Sequence, residues 1–292
     1  MTRTRGRRGT SLVEVLVALP IAALVSAMAV AALLQSWRLA RHTDAVQRST
    51  RELRHSIAVL VTELRPLHSH DVTAWSDSLL EFDGVVGRGV VCRATAGVGI
   101  EVLPANSHAR ITDVFDATPQ LGDAVHVWRT DGVFPIWSRQ RHAFVAATLG
   151  RACDDTPQRR GHVDGRTWRL RVADPAAIAA PGTPLVVTRR IRYQLYRSGS
   201  AWFLGRRSWS ASGWDGIQPV AGPLHAPALG GLQVRGYDAH GQPLAAGDRG
   251  VVLFHLVLRA PGARERATGR IGTDSAEVEI ALRGAAGRAS VE

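Results

Sequence analysis

The chain has 292 residues, 45% of them hydrophobic and 21% charged, enough apolar content to bury a core in one or two domains, and this excludes a disordered chain. Its formal charge of +11 comes with basic residues that are all Arg, no Lys, and a single Asn, Asn106. A charge of that size ordinarily points to nucleic acid or an anionic surface, but an Ala-, Gly- and Arg-rich chain without Lys reads more simply as the product of a GC-rich genome, so nucleic acid is kept only as a secondary partner class.

The first element is set by Arg3, Arg5, Arg7 and Arg8, followed by Gly9, Thr10, Ser11, Leu12, Val13 and Glu14 and an almost unbroken apolar run to Leu34. About twenty apolar residues cross a bilayer core of ~30 Å, and the Arg-rich flank is expected to stay on the cytoplasmic side. An ordinary secretory signal carries its small-residue cleavage site after the apolar core. Here the small residue, Gly9, precedes it, so a cut at Gly9 leaves the apolar run on the mature protein. Glu14 lies inside the run, where an unpaired carboxylate costs about 2.5–3.5 kcal/mol on insertion scales, so an opposite charge is expected to neutralise it. Pro20 removes the helical hydrogen bond to the Leu16 carbonyl, which membrane helices tolerate with a kink.

These residues resemble the class III, prepilin-type signal of type IV pilins and type II secretion pseudopilins. That signal is a short basic leader, a Gly before the cut, an aromatic residue after it and a Glu five residues past the cut. Gly9, Ser11, Leu12, Val13, Glu14, Val15, Leu16, Val17, Ala18 and Leu19 follow it, and Thr10 stands where the family usually has Phe. The resemblance implies that a membrane-embedded prepilin peptidase removes residues 1–9 by cutting between Gly9 and Thr10. It also implies that the new terminus at Thr10 is N-methylated, and that Glu14 pairs with the terminal amine of a neighbouring pilin-like subunit. Two opposite charges persist in hydrocarbon when each neutralises the other, which agrees with that pattern.

Beyond Leu34 the composition turns polar while the helical period continues. Leu39, Val46, Leu53, Ile57, Leu60 and Leu64 lay one apolar stripe along a helix, with Arg38, Arg41, Asp44, Arg48, Arg51, Glu52 and Arg54 on the wet side, and Pro66 ends it. A single helix from Leu12 to Arg65 would run ~80 Å. A membrane half, residues 10–34, is therefore expected to continue into an amphipathic half, residues 35–65, whose stripe lies on a folded head.

From Leu79 onward the pattern is strand-like. The expected strands are Leu79–Asp83, Val85–Cys92, Gly99–Leu103, Ala124–Arg129 and Thr167–Val172, then a run with Leu185, Val187, Ile191, Tyr193 and Leu195 on one face. Val278, Ile280 and Leu282 alternate with Glu277, Glu279 and Arg283, and Val251–Leu258, apolar on nearly both faces, reads as a central strand against the helix. The expected fold class is α+β: a long N-terminal helix, membrane half plus amphipathic half, packed on a C-terminal antiparallel β-sheet head of residues 66–284. Residues 285–292 read as a flexible tail. Ile191–Leu195 followed by Leu204, Gly205, Arg206 and Arg207, then Gly231–Val234 and the turn at His240–Pro243, resemble the minor pseudopilin J and pilus minor pilin W families. Segment 95–175 has no counterpart in that resemblance and reads as an insertion, with a polar loop from Asp154 to Arg166.

Cys92 and Cys153 are the only cysteines. With the Arg-rich flank in the cytoplasm both lie on the oxidising side, where a Cys92–Cys153 disulfide is expected and two separate buried thiols are the alternative. His68, Ser69, His70 and Asp71 form the one dense group of metal-capable side chains and read as a polar turn after the helix, with no metal site expected. Asp154 and Asp155 lack the six or more oxygens of a Ca²⁺ loop. Gly84, Gly87 and Gly89 read as turn glycines, since no helix pattern or Lys follows them. Trp202, Trp209 and Trp214 with Arg206 and Arg207 could stack on single-stranded nucleic acid and read primarily as packing.

Neither a catalytic constellation nor a cofactor motif occurs. The expected function is a non-enzymatic minor pilin or pseudopilin, single-pass in the inner membrane with its head in the periplasm or extracytoplasmic space. Its partners would be the prepilin peptidase and other pilin-like subunits, and it would initiate or cap a type II secretion pseudopilus or a type IV pilus. The alternative is a binding module displayed on a pilus, an adhesin or DNA receptor. Glu14 argues against the pseudopilin K type, which by resemblance lacks that carboxylate, and the head is large for a major pilin.

Overall fold

The computed structural model describes residues 12–95, 99–104, 117–130, 137–150, 167–172, 181–264 and 271–283. Helix α1, Leu12–Leu64, is continuous over 53 residues with Pro20 inside it, as the period predicts. It is ~80 Å long at 1.5 Å per residue. Pro66 has no N–H to extend the ladder, and the last turn closes with Arg65 N–H donating to the Val61 carbonyl (2.9 Å) and Leu67 N–H to that of Leu64 (3.0 Å).

The two halves of α1 differ in what covers them. Leu12–Arg41 is long and apolar enough to cross a membrane and is exposed throughout. Leu53, Ile57, Leu60 and Leu64 are buried in the head. The stripe is therefore shorter than its period suggests: Leu39 is 60% exposed, as is its neighbour Trp37 at 64%. The Val46 side chain lies outside the described residues. The apolar surface of the head reaches only as far as Leu53, which leaves three to four turns of helix between the apolar span and the head.

Thirteen strands follow among the described residues: β1 (Val72–Ser76), β2 (Leu79–Thr95), β3 (Gly99–Pro104), β4 (Ala124–Thr130), β5 (Trp137–Gly150), β6 (Thr167–Val172), β7 (Pro184–Ser198), β8 (Ala201–Ser210), β9 (Gly213–Trp214), β10 (Gln218–Leu224), β11 (Leu232–Tyr237), β12 (Leu253–Arg264) and β13 (Ile271–Ala281). The fold is α+β and the ladders between these strands are antiparallel.

Its backbone is the long pair β2–β7, in register from Leu79 opposite Gln194 to Val90 opposite Pro184. At the Leu79 end the pair is flanked by β1 on one side and by β8 and β10 on the other, an open sheet. At the Val90 end β2 pairs with β3, and β6, β5 and β4 lead back onto β7, so that six strands close into a ring. Segment 95–175, which has no counterpart in the family resemblance, thus contributes β3 to β6 and most of that ring.

A bulge between Val85 and Gly87 divides the two regions. Before it, Leu80 and Phe82 face the helix-side core; after it, Val86 and Val91 face the ring interior. Gly84, Gly87 and Gly89 therefore lie within one continuous strand, a correction to both the turn reading and the division into Leu79–Asp83 and Val85–Cys92. The reason is close approach: a Cβ on Gly84 would lie 2.5 Å from Ile191 Cδ1. Gly87 and Gly89 stand opposite Val187 and Leu185 and leave the narrow interior to those side chains.

Two cores result. One joins the end of α1, the open sheet through Phe82, Ile191 and Tyr193, and the three-stranded sheet β11-β12-β13 through Val234, Phe254, Leu256 and Ile280. Trp75 meets Phe254 edge-on at 5.9 Å and donates its indole N–H to the Asp248 carbonyl at 3.0 Å. The other fills the ring, with Ile100, Val125, Phe144, Leu170 and Val187 among its buried members. β12 is the central strand of its sheet, as expected, beginning at Leu253 rather than Val251. On β13 the exposed Glu277 and Glu279 alternate with the half-buried Val278 and the buried Ile280, also as expected.

Candidate functional site

The most distinctive surface is the first thirty residues of α1. Glu14 is exposed and borders a shallow groove with Val13, Val17, Ala18 and Ile21, so a carboxylate interrupts the apolar cylinder within its first turn. Gly9 and Thr10, the expected cleavage pair, lie outside the described residues, as do the 1–9 leader, Cys153, Asp154, Asp155 and the 285–292 tail. Cys92 falls on β2, and its side chain is outside the described residues.

Where α1 enters the head, an ion pair holds it to the open sheet: Arg206 Nε of β8 donates to Glu63 Oε1 at 3.1 Å and its Nη1 to Ser208 Oγ at 3.2 Å. The buried Tyr193 hydroxyl lies beside this pair without a well-formed hydrogen bond. Burial, and secondly the Glu63 carboxylate, push its pKa well above the usual tyrosine value. An unfolded tyrosine releases its proton near pH ~10 while the folded one keeps it, so the unfolded state binds fewer protons above that pH and stability falls as pH rises. Urea midpoints measured from about pH 9 to 11 should fall less steeply in Tyr193→Phe than in wild type; identical slopes would show that Tyr193 contributes nothing to the alkaline loss.

On the opposite face of β2 and β7 the charges are cross-strand partners. Arg192 reaches Glu81 through Nη2 (2.6 Å) and Nε (2.9 Å), Thr73 donates to the same carboxylate (3.2 Å), and Arg190 Nε lies 3.7 Å from both Glu81 and Asp83. The Arg192 guanidinium lies 4.2 Å from the Trp214 ring centroid, and Trp214 packs edge-on against Trp209 at 5.3 Å. Arg207 donates to the carbonyls of Asp215 (2.7 Å) and Trp214 (3.3 Å). Of the five residues considered as a stacking surface, the structure brings together Trp209, Trp214 and Arg207 and turns Arg206 away toward the helix. Trp202 has the strand parity of Leu204 and Arg206. Arg192 and Arg207 are both engaged within the head. The role of Arg192 was legible only in the alternation of Arg190 and Arg192 with apolar neighbours on β7.

His68, Ser69, His70 and Asp71 do form a turn after the helix, a 3₁₀ turn over Ser69–Asp71. The buried Asp71 carboxylate accepts the His68 N–H at 2.8 Å. Beside the turn is a cleft of about 1020 Å³ that Thr73, Arg190, Asp248 and Arg283 also line. No family model, curated protein or solved structure matches this chain.

Proposed function

We propose that the chain is a minor pilin or pseudopilin: a non-enzymatic subunit, anchored once in the inner membrane with its head on the extracytoplasmic side, that joins other pilin-like subunits through α1 to initiate or cap a type II secretion pseudopilus or a type IV pilus. The observation that carries this reading is the continuity of α1. The helix whose exposed start, Leu12 to Leu34, is an almost unbroken apolar run is the one whose last turns, Leu53 to Leu64, lie in the core of the head. A cut after the apolar run would sever that helix, whereas a cut at Gly9 leaves a fibre-forming subunit whole. An apolar cylinder of this length needs a bilayer or the helices of like subunits around it, and Glu14 supplies a charge that a neighbour's terminal amine can meet.

Processing tests the reading. Mass spectrometry of the mature protein should place the N-terminus at Thr10, methylated, and Gly9→Val should leave residues 1–9 attached. A terminus beyond Val25 would mean an ordinary signal peptidase and would overturn the proposal.

A further inference from the structure

We propose that His68, His70 and Asp71 form a zinc-binding triad at the base of the head, a site that the reading of His68–Asp71 as a plain polar turn does not anticipate. The donor atoms of the three side chains all lie within 4.8 Å of one another, with His68 Nδ1 3.5 Å from Asp71 Oδ2 and His70 Nε2 3.7 Å from Asp71 Oδ1. A tetrahedral ion with bonds of 2.0–2.1 Å holds neighbouring ligands about 3.4 Å apart. The two measured edges run to different oxygens of Asp71 and are both close to that spacing, while the donors farthest apart, within 4.8 Å of one another, close on an ion by side-chain rotation of up to about 1.4 Å. Two imidazoles and a carboxylate are also the donor types that borderline divalent ions such as Zn²⁺ take in open, three-ligand sites.

The frame around the triad is fixed independently of any ion. The His68 N–H orients the Asp71 carboxylate, Asp71 N–H donates to the His68 carbonyl at 2.9 Å, and Arg283 N–H donates to the Leu67 carbonyl one residue upstream at 2.6 Å. A backbone contact that holds a ligating carboxylate is what sustains metal affinity beyond the ligands themselves. The two imidazole rings stack with their centroids 5.2 Å apart and 22° between their planes, so the two histidines share one side of the turn. Both rings are about half exposed, and the cleft beside them leaves a fourth position for water. The turn joins the end of α1 to the end of the three-stranded sheet through the His68–Arg283 bridge, so a bound ion would fasten the junction at which the helix leaves the head.

The test is calorimetric titration of the full chain in detergent with Zn²⁺, and with Co²⁺ as the visible-absorption probe. Wild type should bind one equivalent, with intense Co²⁺ d–d bands of a four-coordinate site and a raised thermal midpoint in Zn²⁺. His70→Ala, a change at an exposed ring that leaves the fold alone, should weaken binding at least tenfold and abolish the bands. His55→Ala, an exposed histidine on α1, should change neither. Absence of saturable one-equivalent binding in wild type, or binding in His70→Ala equal to wild type, would overturn the site.

Discussion

Arg189→Ala is expected to destabilise the head by about 3–5 kcal/mol, the range found when one partner of a buried ion pair is removed. The Asp123 side chain is fully buried and that of Arg189 is 14% exposed. They meet in a two-point contact, Nε to Oδ1 at 2.8 Å and Nη2 to Oδ2 at 2.9 Å, while Gln120 N–H donates to the same carboxylate at 2.8 Å and Arg189 Nη2 to the Thr118 carbonyl at 3.0 Å. Removing the guanidinium leaves an ionised carboxylate in a place that water does not reach. The position amplifies the effect. β4 pairs with β7 up to Thr188 and β8 pairs with it from Ile191, so Arg189 stands at the step between ring and open sheet. Residues 117–123 cross that step, and Leu121 there accepts the Ala211 N–H that follows β8. By contrast, Glu63–Arg206, with both side chains 27% exposed, belongs with pairs worth at most about 1 kcal/mol. Urea unfolding of Arg189→Ala and of Arg206→Ala separates the two cases. Arg189→Met with Asp123→Leu should recover most of the loss, since an apolar pair leaves no buried charge. A cost below ~1 kcal/mol for Arg189→Ala would place the pair among the surface ones.

What could be read along the chain was local. The helix and its end follow from the 3.6-residue period and Pro66, and the alternation in β7 and β13 identifies their buried faces. β6 was placed to the residue, Thr167–Val172. The failures come from contacts between distant segments. β5 escaped notice because a bulge between Phe144 and Ala146 breaks its period and three alanines weaken its apolar signal. β2 was divided because its glycines imitate turns, although their spacing reflects what lies across the strand pair, Ile191, Val187 and Leu185. Closure of the ring depends on β2 pairing with β7 about a hundred residues later, and no local pattern carries that register. The same holds for the charged groups. Glu63–Arg206, Glu81–Arg192 and Asp123–Arg189 are separated by 143, 111 and 66 residues, and each was visible only as an isolated charge. The His68–Asp71 group was visible because its members are adjacent, but whether neighbours in a polar turn converge depends on the turn geometry, which the sequence pattern leaves open. The stretch of α1 long and apolar enough to cross a membrane is the opposite case, since its apolar residues declare themselves one by one.

Glu14→Ala is expected to leave protein level, membrane insertion and leader cleavage close to wild type while abolishing co-purification with partner pilins and the secretion or piliation that depends on them. Insertion is spared because the change removes a carboxylate from the first turn of the apolar stretch, where a charge opposes entry into hydrocarbon, so the variant should enter the bilayer at least as well. Assembly is lost because the groove of Val13, Val17, Ala18 and Ile21 beside Glu14 offers a neighbouring helix only dispersion contacts, which lipid tails offer equally. The charge is what distinguishes one position along the helix from the next. In hydrocarbon its attraction to a neighbour's terminal amine is little screened by salt, and leaving either group unmatched is costly. Under the proposed pilin reading, one carboxylate would therefore set the axial register of subunits whose long apolar helices would otherwise slide past one another. Glu14→Asp keeps the charge but draws it back by one methylene, and should retain part of the co-purification; Glu14→Gln keeps the shape without the charge and should behave as Glu14→Ala does. Recovery of partner pilins and full function by Glu14→Ala would show that the carboxylate sets no register, and would leave α1 as an anchor for a head that acts alone.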